Sequence, residues 1–498
     1  MPVPVERIRT LSDAPIRPER PLVVYWMTAA RRVRWNPALQ RAAELGAELS
    51  RPVLVLEALR CAYPFASDRL HAFVMEGMAE NARRLAGRAL YHPWLERRAG
   101  EGKGLLEAVA AHACAVITDD YPTFFLPRML EAAAAKLPVR LEAVDGSCIV
   151  PFRLSGRAFP TAFAYRRYLQ GALPVWLERL PPRDPLARAP APGRATVPAE
   201  VRRRWPAEDP EELARPARLL PALPIDHGVV PGPLRGGAAE AEARLRAFVE
   251  QRLPSYAERH SDPDAEATSG LSPWLHFGQV GSFEVVRAVL KHEGWTPAKL
   301  APSARGSREG YWGVSPAAEG FLDQVVTWRE LGFVTCAHRP DHAEYESLPA
   351  WAQATLEAHA RDPRPHGYAY EALAAGRTHD RLWNAAQRQL RADGVIHNAV
   401  RMLWGKKVLE WSPSPRQALE VLLDLNDRYA LDGRDPNSES GIFWCLGRYD
   451  RPWGPERPIF GTVRYMSSEN TRKKRDLERY LARYAPTEGE EQGELFGA

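Results

Sequence analysis

Apolar and polar positions follow two different rhythms along this chain, and the change from one to the other divides it. Between residues 21 and 145, short apolar runs are separated by amphipathic stretches. PLVVYWM (Pro21–Met27), PVLVLEAL (Pro52–Leu59), ALYHPWL (89–95), CAVITDD (Cys114–Asp120) and VRLEAVD (Val139–Asp145) have the length and composition of strands, most of them buried on both faces. Apolar residues at helical spacing fill Asn36–Leu49, Leu70–Leu85, Leu105–His112 and Phe124–Lys136. Strands alternating with helices predict an α/β domain, a doubly wound parallel sheet of about five strands. No GxGxxG follows the first strand and no Walker A motif occurs, so an ordinary dinucleotide or nucleoside-triphosphate site of those types is not expected.

From residue 180 to 237 the pattern dissolves into proline, arginine and small residues, as in PPRDPLARAPAPGRATVP. Proline at this density excludes long helices and predicts a surface-crossing interdomain linker. Beyond Gly237 the strand pattern is gone. Ala238–Arg252, Ser282–His292, Ala317–Leu331, Trp351–Ala360, Leu382–Ala392, Ile396–Trp411, Pro415–Tyr429 and Thr471–Tyr484 all carry helical spacing. The expected organisation is therefore an α/β domain over 1–179, the linker over 180–237 and an all-α domain over 238–498. A long loop is expected over Leu431–Met466, and an acidic, frayed tail in PTEGEEQGELFGA.

Composition narrows the class. The 498 residues are 45% hydrophobic and 26% charged, the balance of a soluble globular protein. No apolar run is long enough for a bilayer and the N-terminus lacks a signal-peptide core, so a cytoplasmic, membrane-free protein is expected. The five cysteines never form CxxC, which points to reduced, buried thiols rather than disulfides or a metal site. A net charge of +5 permits a polyanionic partner without requiring one.

Candidate chemistry concentrates in the helical half. Trp383, Trp404, Trp411 and Trp444 lie within one stretch, with Trp404 and Trp411 two helical turns apart on one face. Indoles are oxidisable, so such a row serves either as core or as an electron path. In TSGLSPWLHFGQV (Thr268–Val280), Ser272 reads as a helix N-cap and Pro273 as the first helical residue. Thr268, Ser269 and Gly270 then offer hydroxyls and N–H groups at the positive helix end, which makes either a plain capped helix or a phosphate site. The DGRDPN turn (432–437) reads by itself as a simple turn.

Taken in order, Tyr256, TSGLSPWLHFGQV, FLDQVVTWREL, LWNAAQ, RMLWGKKVLEW, LNDRYALDGRDPN and ERPIFGTVRYM resemble the class II cyclobutane pyrimidine dimer photolyases, a branch of the photolyase/cryptochrome family. VVYWMTAARRV near the start is also similar, so the resemblance covers nearly the whole chain. It implies FAD, active as the reduced anion, which donates an electron to a flipped pyrimidine dimer in damaged DNA so that the cyclobutane ring splits. Extrusion of the target base is the general device of such enzymes, photolyases among them.

The resemblance implies phosphate contacts at Tyr256, Thr268, Ser269, Gly270, Leu271 and Ser272, and polar contacts to the cofactor rings at Arg401, Asp432 and Asp435. Asn426 matches the amide facing the flavin. Trp404, Trp383 and Trp411 match an electron path, with Trp404 nearest the flavin and Trp411 at the surface. Trp328, Trp444, Met402 and Asn398 match positions around the extruded lesion, and Arg451, Trp453 and Arg464 a loop that enters the bubble. The resemblance leaves room for an antenna chromophore of unspecified identity, with Arg32, Arg34 and Asn36 in a loop where one would bind. A monomer without an obligate protein partner is expected.

The sequence departs from the family at several places. Gln324 stands where many relatives have a glutamate that donates a hydrogen bond to the dimer, and it donates through an amide without acting as an acid. Asn398 replaces a usual glycine, and SES (438–440) and SSENTRKK (467–474) are also unusual, marking a divergent branch. Two other activities share much of this text: a cryptochrome-like flavin photoreceptor, and repair of another lesion such as the (6-4) photoproduct.

Overall fold

A computed structural model describes residues 1–302, 305–475 and 477–486. The strands are β1 (Ile8–Thr10), β2 (Leu22–Trp26), β3 (Val53–Leu59), β4 (Leu90–Leu95), β5 (Ala113–Asp119) and β6 (Leu141–Val144). They form one six-stranded sheet in the order β1-β6-β5-β2-β3-β4, parallel throughout except for β1 against β6. All five expected strands are present and the count of about five becomes six. The addition, β1, has no apolar run to announce it, because as an antiparallel edge strand it needs no burial on two faces.

The helices are α1 (Pro37–Leu49), α2 (Asp68–Leu85), α3 (Leu105–Ala110), α4 (Leu126–Ala134), α5 (Ala162–Leu177), α6 (Ala199–Arg204), α7 (Pro210–Leu213), α8 (Ala238–Ala247), α9 (Tyr256–Arg259), α10 (Ser272–His276) and α11 (Ser282–His292). They continue with α12 (Pro316–Leu322), α13 (Arg329–His338), α14 (Ala350–Ala358), α15 (Tyr370–Ala375), α16 (Arg381–Asp393), α17 (Asn398–Trp411), α18 (Pro415–Tyr429), α19 (Pro436–Cys445), α20 (Ser468–Lys474) and α21 (Glu478–Arg483). Two compact units result. The first comprises 1–254, 269–342 and 434–437; the second comprises 255–268, 343–433 and 438–498.

In the first unit the strand alternation sorts side chains to the two faces of the sheet. Val23, Tyr25, Val55 and Ile117 join α1 on one side, while Leu22, Val24, Leu54 and Val116 join α3 on the other. Asn36 caps α1 by accepting from the Leu39 N–H at 3.0 Å. The proline-rich segment 180–237 is not a surface tether. Val201 and Trp205 enter the core on the α3 side of the sheet, and Leu213, Leu220 and Leu223 pack under α2. Proline forbids long helices but not burial of the apolar residues between.

Two expected helices are each interrupted by a π-helical stretch, Phe248–Arg252 after α8 and Asp323–Trp328 between α12 and α13. The expected loop 431–466 contains α19, hidden by its low amphipathicity. The expected Thr471–Tyr484 helix is split into α20 and α21. Of the acidic tail, residues 487–498 lie outside the described residues. In the second unit, α16, α17 and α18 pack around the tryptophans. All five cysteines are free and buried, and no helix among the described residues is long and apolar enough to cross a membrane.

Candidate cofactor and nucleic-acid sites

In the first unit, α10 is shorter than its sequence suggests. It has five residues, Leu271 occupies the N-cap position, and no side chain caps it, so Ser272 is the first helical residue and not the cap. A single turn sums few peptide dipoles, so any anion site here rests on side chains instead. Ser269 Oγ accepts from the Leu271 N–H at 3.4 Å. Gly270 has φ +62°, and a Cβ there would come 2.9 Å from Arg244 Nη1. Arg244, from α8, lies with its guanidinium 4.9 Å over the buried Trp274 ring, and its Nε is buried without a partner. The helical pattern of Ala238–Arg252 carried no signal for this residue.

Gln324 and Trp328 are partly exposed in the π-helical stretch, while Asp323 beside them is buried. Asp323 takes two hydrogen bonds from Arg166, at 2.7 and 3.0 Å, which anchors the stretch inward and leaves Gln324 outward. Among the described residues, none is a hydrogen-bond partner of the Gln324 amide. Asp435 is buried and accepts from the Tyr121 hydroxyl at 2.9 Å and the Asn437 N–H at 2.8 Å, with His276 Nδ1 at 3.5 Å. Burial opposes its charge, yet His276, Arg329 and the Asn437 N–H outweigh it and hold the carboxyl below the usual range.

In the second unit the three tryptophans form one chain of contacts. Trp383 lies 6.4 Å from Trp404 with rings 6° from parallel, and 5.4 Å from Trp411 at 69°. Trp383 Nε1 donates to the Trp404 carbonyl at 3.0 Å, and Trp404 Nε1 to Gln387 Oε1 at 2.9 Å. Trp411 is only 2% exposed and does not reach the surface as expected. Tyr368 and His379 cover it with ring centroids at 5.2 and 5.5 Å, and His379 is exposed. These covering residues flank α15, remote in sequence from Trp411, and α17 alone does not reveal them.

Arg401 and Asp432 pair through two contacts, at 2.6 and 3.2 Å. Arg401 also reaches the Asn426 Oδ1 at 3.4 Å, and the Asn426 Nδ2 donates to Ser438 Oγ at 3.0 Å and Asp427 Oδ1 at 2.9 Å. The unusual Ser438 is thus the partner of the central amide. Tyr256 is buried against His260, and Thr268 is partly exposed.

A ladder of alternating cations and indoles completes this unit. Arg451 lies 4.2 Å over Trp453, Arg464 lies 3.9 Å over Trp453 and 5.5 Å over Trp444, and Lys406 lies 5.0 Å over Trp444 from α17. Asp450 fixes the middle, accepting from Arg464 Nε at 2.9 Å and Trp453 Nε1 at 3.1 Å. Met402 is partly exposed and Asn398 exposed at the start of α17. The sequence motifs point to Arg451, Trp453, Arg464 and Trp444 but not to Lys406, which sits in an otherwise ordinary basic helix.

The first unit also holds a cleft of about 370 Å³ at the carboxyl ends of β2, β3 and β4, where parallel sheets bind ligands. Trp26, Tyr63, Trp94 and Phe124 line it, with Arg31, Glu96 and Lys103. Of the loop residues expected to meet an antenna, three are occupied structurally. Arg32 is buried and donates to the carbonyls of Trp35, Gly146 and Gly278, Arg34 pairs with Glu242, and Asn36 caps α1. Asp119 also pins this loop by accepting from the N–H groups of Thr28, Ala29 and Ala30.

Residues 23–168 match the DNA photolyase family. Over 479 residues the chain is 32% identical to a deoxyribodipyrimidine photo-lyase of Methanothermobacter thermautotrophicus, covering 96% of this chain and 98% of the relative. It is also 32% identical over 492 residues to the deoxyribodipyrimidine photo-lyase of Potorous tridactylus, covering 97% and 85%. Among solved structures, a bacterial class III photolyase from Agrobacterium tumefaciens superposes with a TM-score of 0.66 at 19% identity, covering 93% of this chain and 86% of that one.

Proposed function

The chain belongs to the photolyase/cryptochrome family, and on that premise we propose that it is a light-driven DNA repair lyase that splits cyclobutane pyrimidine dimers with FAD. The contact chain Trp404–Trp383–Trp411 and the cation–indole ladder around Trp444 support this reading. The ladder carries it, since a photoreceptor needs the electron path but no arginine-braced aromatic wall.

The residues fit a phosphate-bearing cofactor. The unpartnered Nε of Arg244 beside a glycine in the left-handed region leaves a buried donor and a bare backbone where an anion would sit. Tyr256, Thr268, Ser269, Gly270, Leu271 and Ser272, joined by Arg244, would hold the FAD phosphates, and Arg401, Asp432, Asp435 and Asn426 its rings. Bound and reduced, FAD supplies the electron that light makes available. Trp404, Trp383 and Trp411 would relay electrons inward, through Tyr368 and His379 at the outer end. Trp328 and Trp444 would stack on the extruded bases, each worth roughly 1–3 kcal/mol against unstacking from the duplex. Arg451, Trp453 and Arg464 would occupy the space left behind. The aromatic cleft beyond β2, β3 and β4 is where we place an antenna chromophore.

A different lesion is the second reading, and Gln324 favours it, because an amide does not transfer a proton to the substrate as the family's glutamate would. Illumination of the reduced protein with DNA carrying a defined cyclobutane dimer tests the first reading. Restored pyrimidines are expected. Intact dimer after thorough illumination, with (6-4) DNA repaired in parallel, would establish the second, and repair of neither would leave a photoreceptor.

A further inference from the structure

Lys406 is the one lysine of α17 that is buried without an ion pair to a carboxylate among the described residues. Its exposure is 0%, its Nζ donates to the Cys445 carbonyl at 2.6 Å, and the Trp444 ring centroid lies 5.0 Å away. The neighbouring Lys407 instead pairs with Glu410 at 2.7 Å. Ionisable groups facing Lys406 are the Cys445 thiol, the Asp450 carboxylate and the Arg464 guanidinium. Asp450 is already engaged by Arg464 and Trp453. An ammonium has three protons to donate and is costly to bury, so a carbonyl and an indole face are a sparse environment for it. Burial is the main cause that lowers its pKa to about 8. A methionine would fill the same space without burying a charge.

The helix explains the direction. Lys406 follows Trp404 by two residues, which places their side chains on nearly opposite faces of α17. One face carries the indole chain toward Trp383, and the other meets Trp444. Trp444 is bracketed by the two cations Lys406 and Arg464, but only Lys406 is fully buried and so rigidly placed.

We propose that Lys406 is a positioning residue for lesion recognition: its ammonium, anchored on the Cys445 carbonyl, holds the Trp444 ring by a cation–π contact as a preset wall for the extruded bases. The proposal rests on the lesion-stacking role given to Trp444 above. A neutral amine loses the attraction to the ring, so the wall loosens as Lys406 gives up its proton.

The test is lesion discrimination in the dark: the Kd for an undamaged oligonucleotide divided by that for the same oligonucleotide with one cyclobutane dimer. It is measured with the FAD-bound protein between pH 6.5 and 9.5, and the ratio cancels general effects of pH on DNA affinity. For the unaltered protein it should fall about tenfold as pH rises through about 8, the scale of a desolvated cation–π contact. Lys406→Met should show the low ratio at every pH. An unaltered protein with a flat ratio, or a Lys406→Met variant that keeps both the ratio and the inflection, overturns the proposal. Trp444→Ala separates the two layers. If it keeps full discrimination, the stacking role itself is wrong; if it loses discrimination while Lys406→Met does not, only the role of Lys406 falls. Should Lys406→Met fail to fold, the comparison of the unaltered and Trp444→Ala pH profiles decides, since the inflection near 8 must vanish with the ring.

Discussion

Two neighbours in the stretch after α12 show how much one side chain decides. Gln324 faces outward and offers a hydrogen bond that no pH change within the working range removes. Gln324→Glu should therefore introduce a pH dependence that the unaltered protein lacks. Repair per absorbed photon on cyclobutane-dimer DNA should be highest where the new carboxyl is protonated, and should fall as pH rises through its pKa. A flat profile in the variant would remove Gln324 from the lesion site. Glu330, six residues on, faces inward. It accepts from the Ile149 N–H at 2.6 Å through Oε1, and its Oε2 is buried without a partner. Burial, only partly offset by that N–H, pushes its pKa to about 8 from 4.5. The folded chain then holds a proton that the unfolded chain releases above 4.5, so stability is full below that value and declines as pH rises to about 8. Glu330→Gln keeps the accepted hydrogen bond and removes the linkage. Its melting temperature should match the unaltered protein at pH 4.5 and exceed it at pH 8, with a gain of roughly 3 kcal/mol at pH 7 as an upper bound.

At the scale of the element, α17 is the organising piece of the second unit. Its Trp404 and Trp411 both contact Trp383 of α16, so the proposed electron path crosses between helices rather than running along one. Cutting it at Trp404 should separate supply from repair. Trp404→Phe is expected to abolish photoreduction of the oxidised cofactor under blue light, while chemically reduced protein repairs at nearly the original rate. Photoreduction at an unchanged rate would mean that electrons arrive elsewhere. The residue also fills core, and losing the indole N–H leaves Gln387 Oε1 without its donor, so a loss of about 1–3 kcal/mol in stability should accompany the change. The element-level surprises share a cause. α10 closes after a single turn, and α19 goes unannounced because it has almost no amphipathic stripe of its own; isolated helices this short gain little from local propensity.

For the whole molecule, the net charge of +5 is too small to make binding to DNA a bulk property. On the proposed reading, affinity comes from local clusters such as Arg451 and Arg464. Arg451 is exposed, so Arg451→Ala should weaken damaged and undamaged DNA alike and flatten the slope of log affinity against log salt by about 1. A specific loss for damaged DNA alone would instead place Arg451 against the lesion. The strand and helix rhythm made the two architectures readable from the chain, since burial on two faces or one stripe imposes its own period on any sequence. Long motifs in fixed order made the family readable as well. Residues whose meaning depends on a partner distant in the chain were not readable: Arg244 with its unpartnered Nε near Gly270, Lys406 beneath Trp444, Ser438 on Asn426, and Trp411 covered by Tyr368 and His379. Local order in the sequence thus determined the elements, the row of tryptophans and the family. Only tertiary packing decided which charges are buried, which indoles touch and which amides are already spent, because burial and hydrogen bonding are properties of neighbours in space.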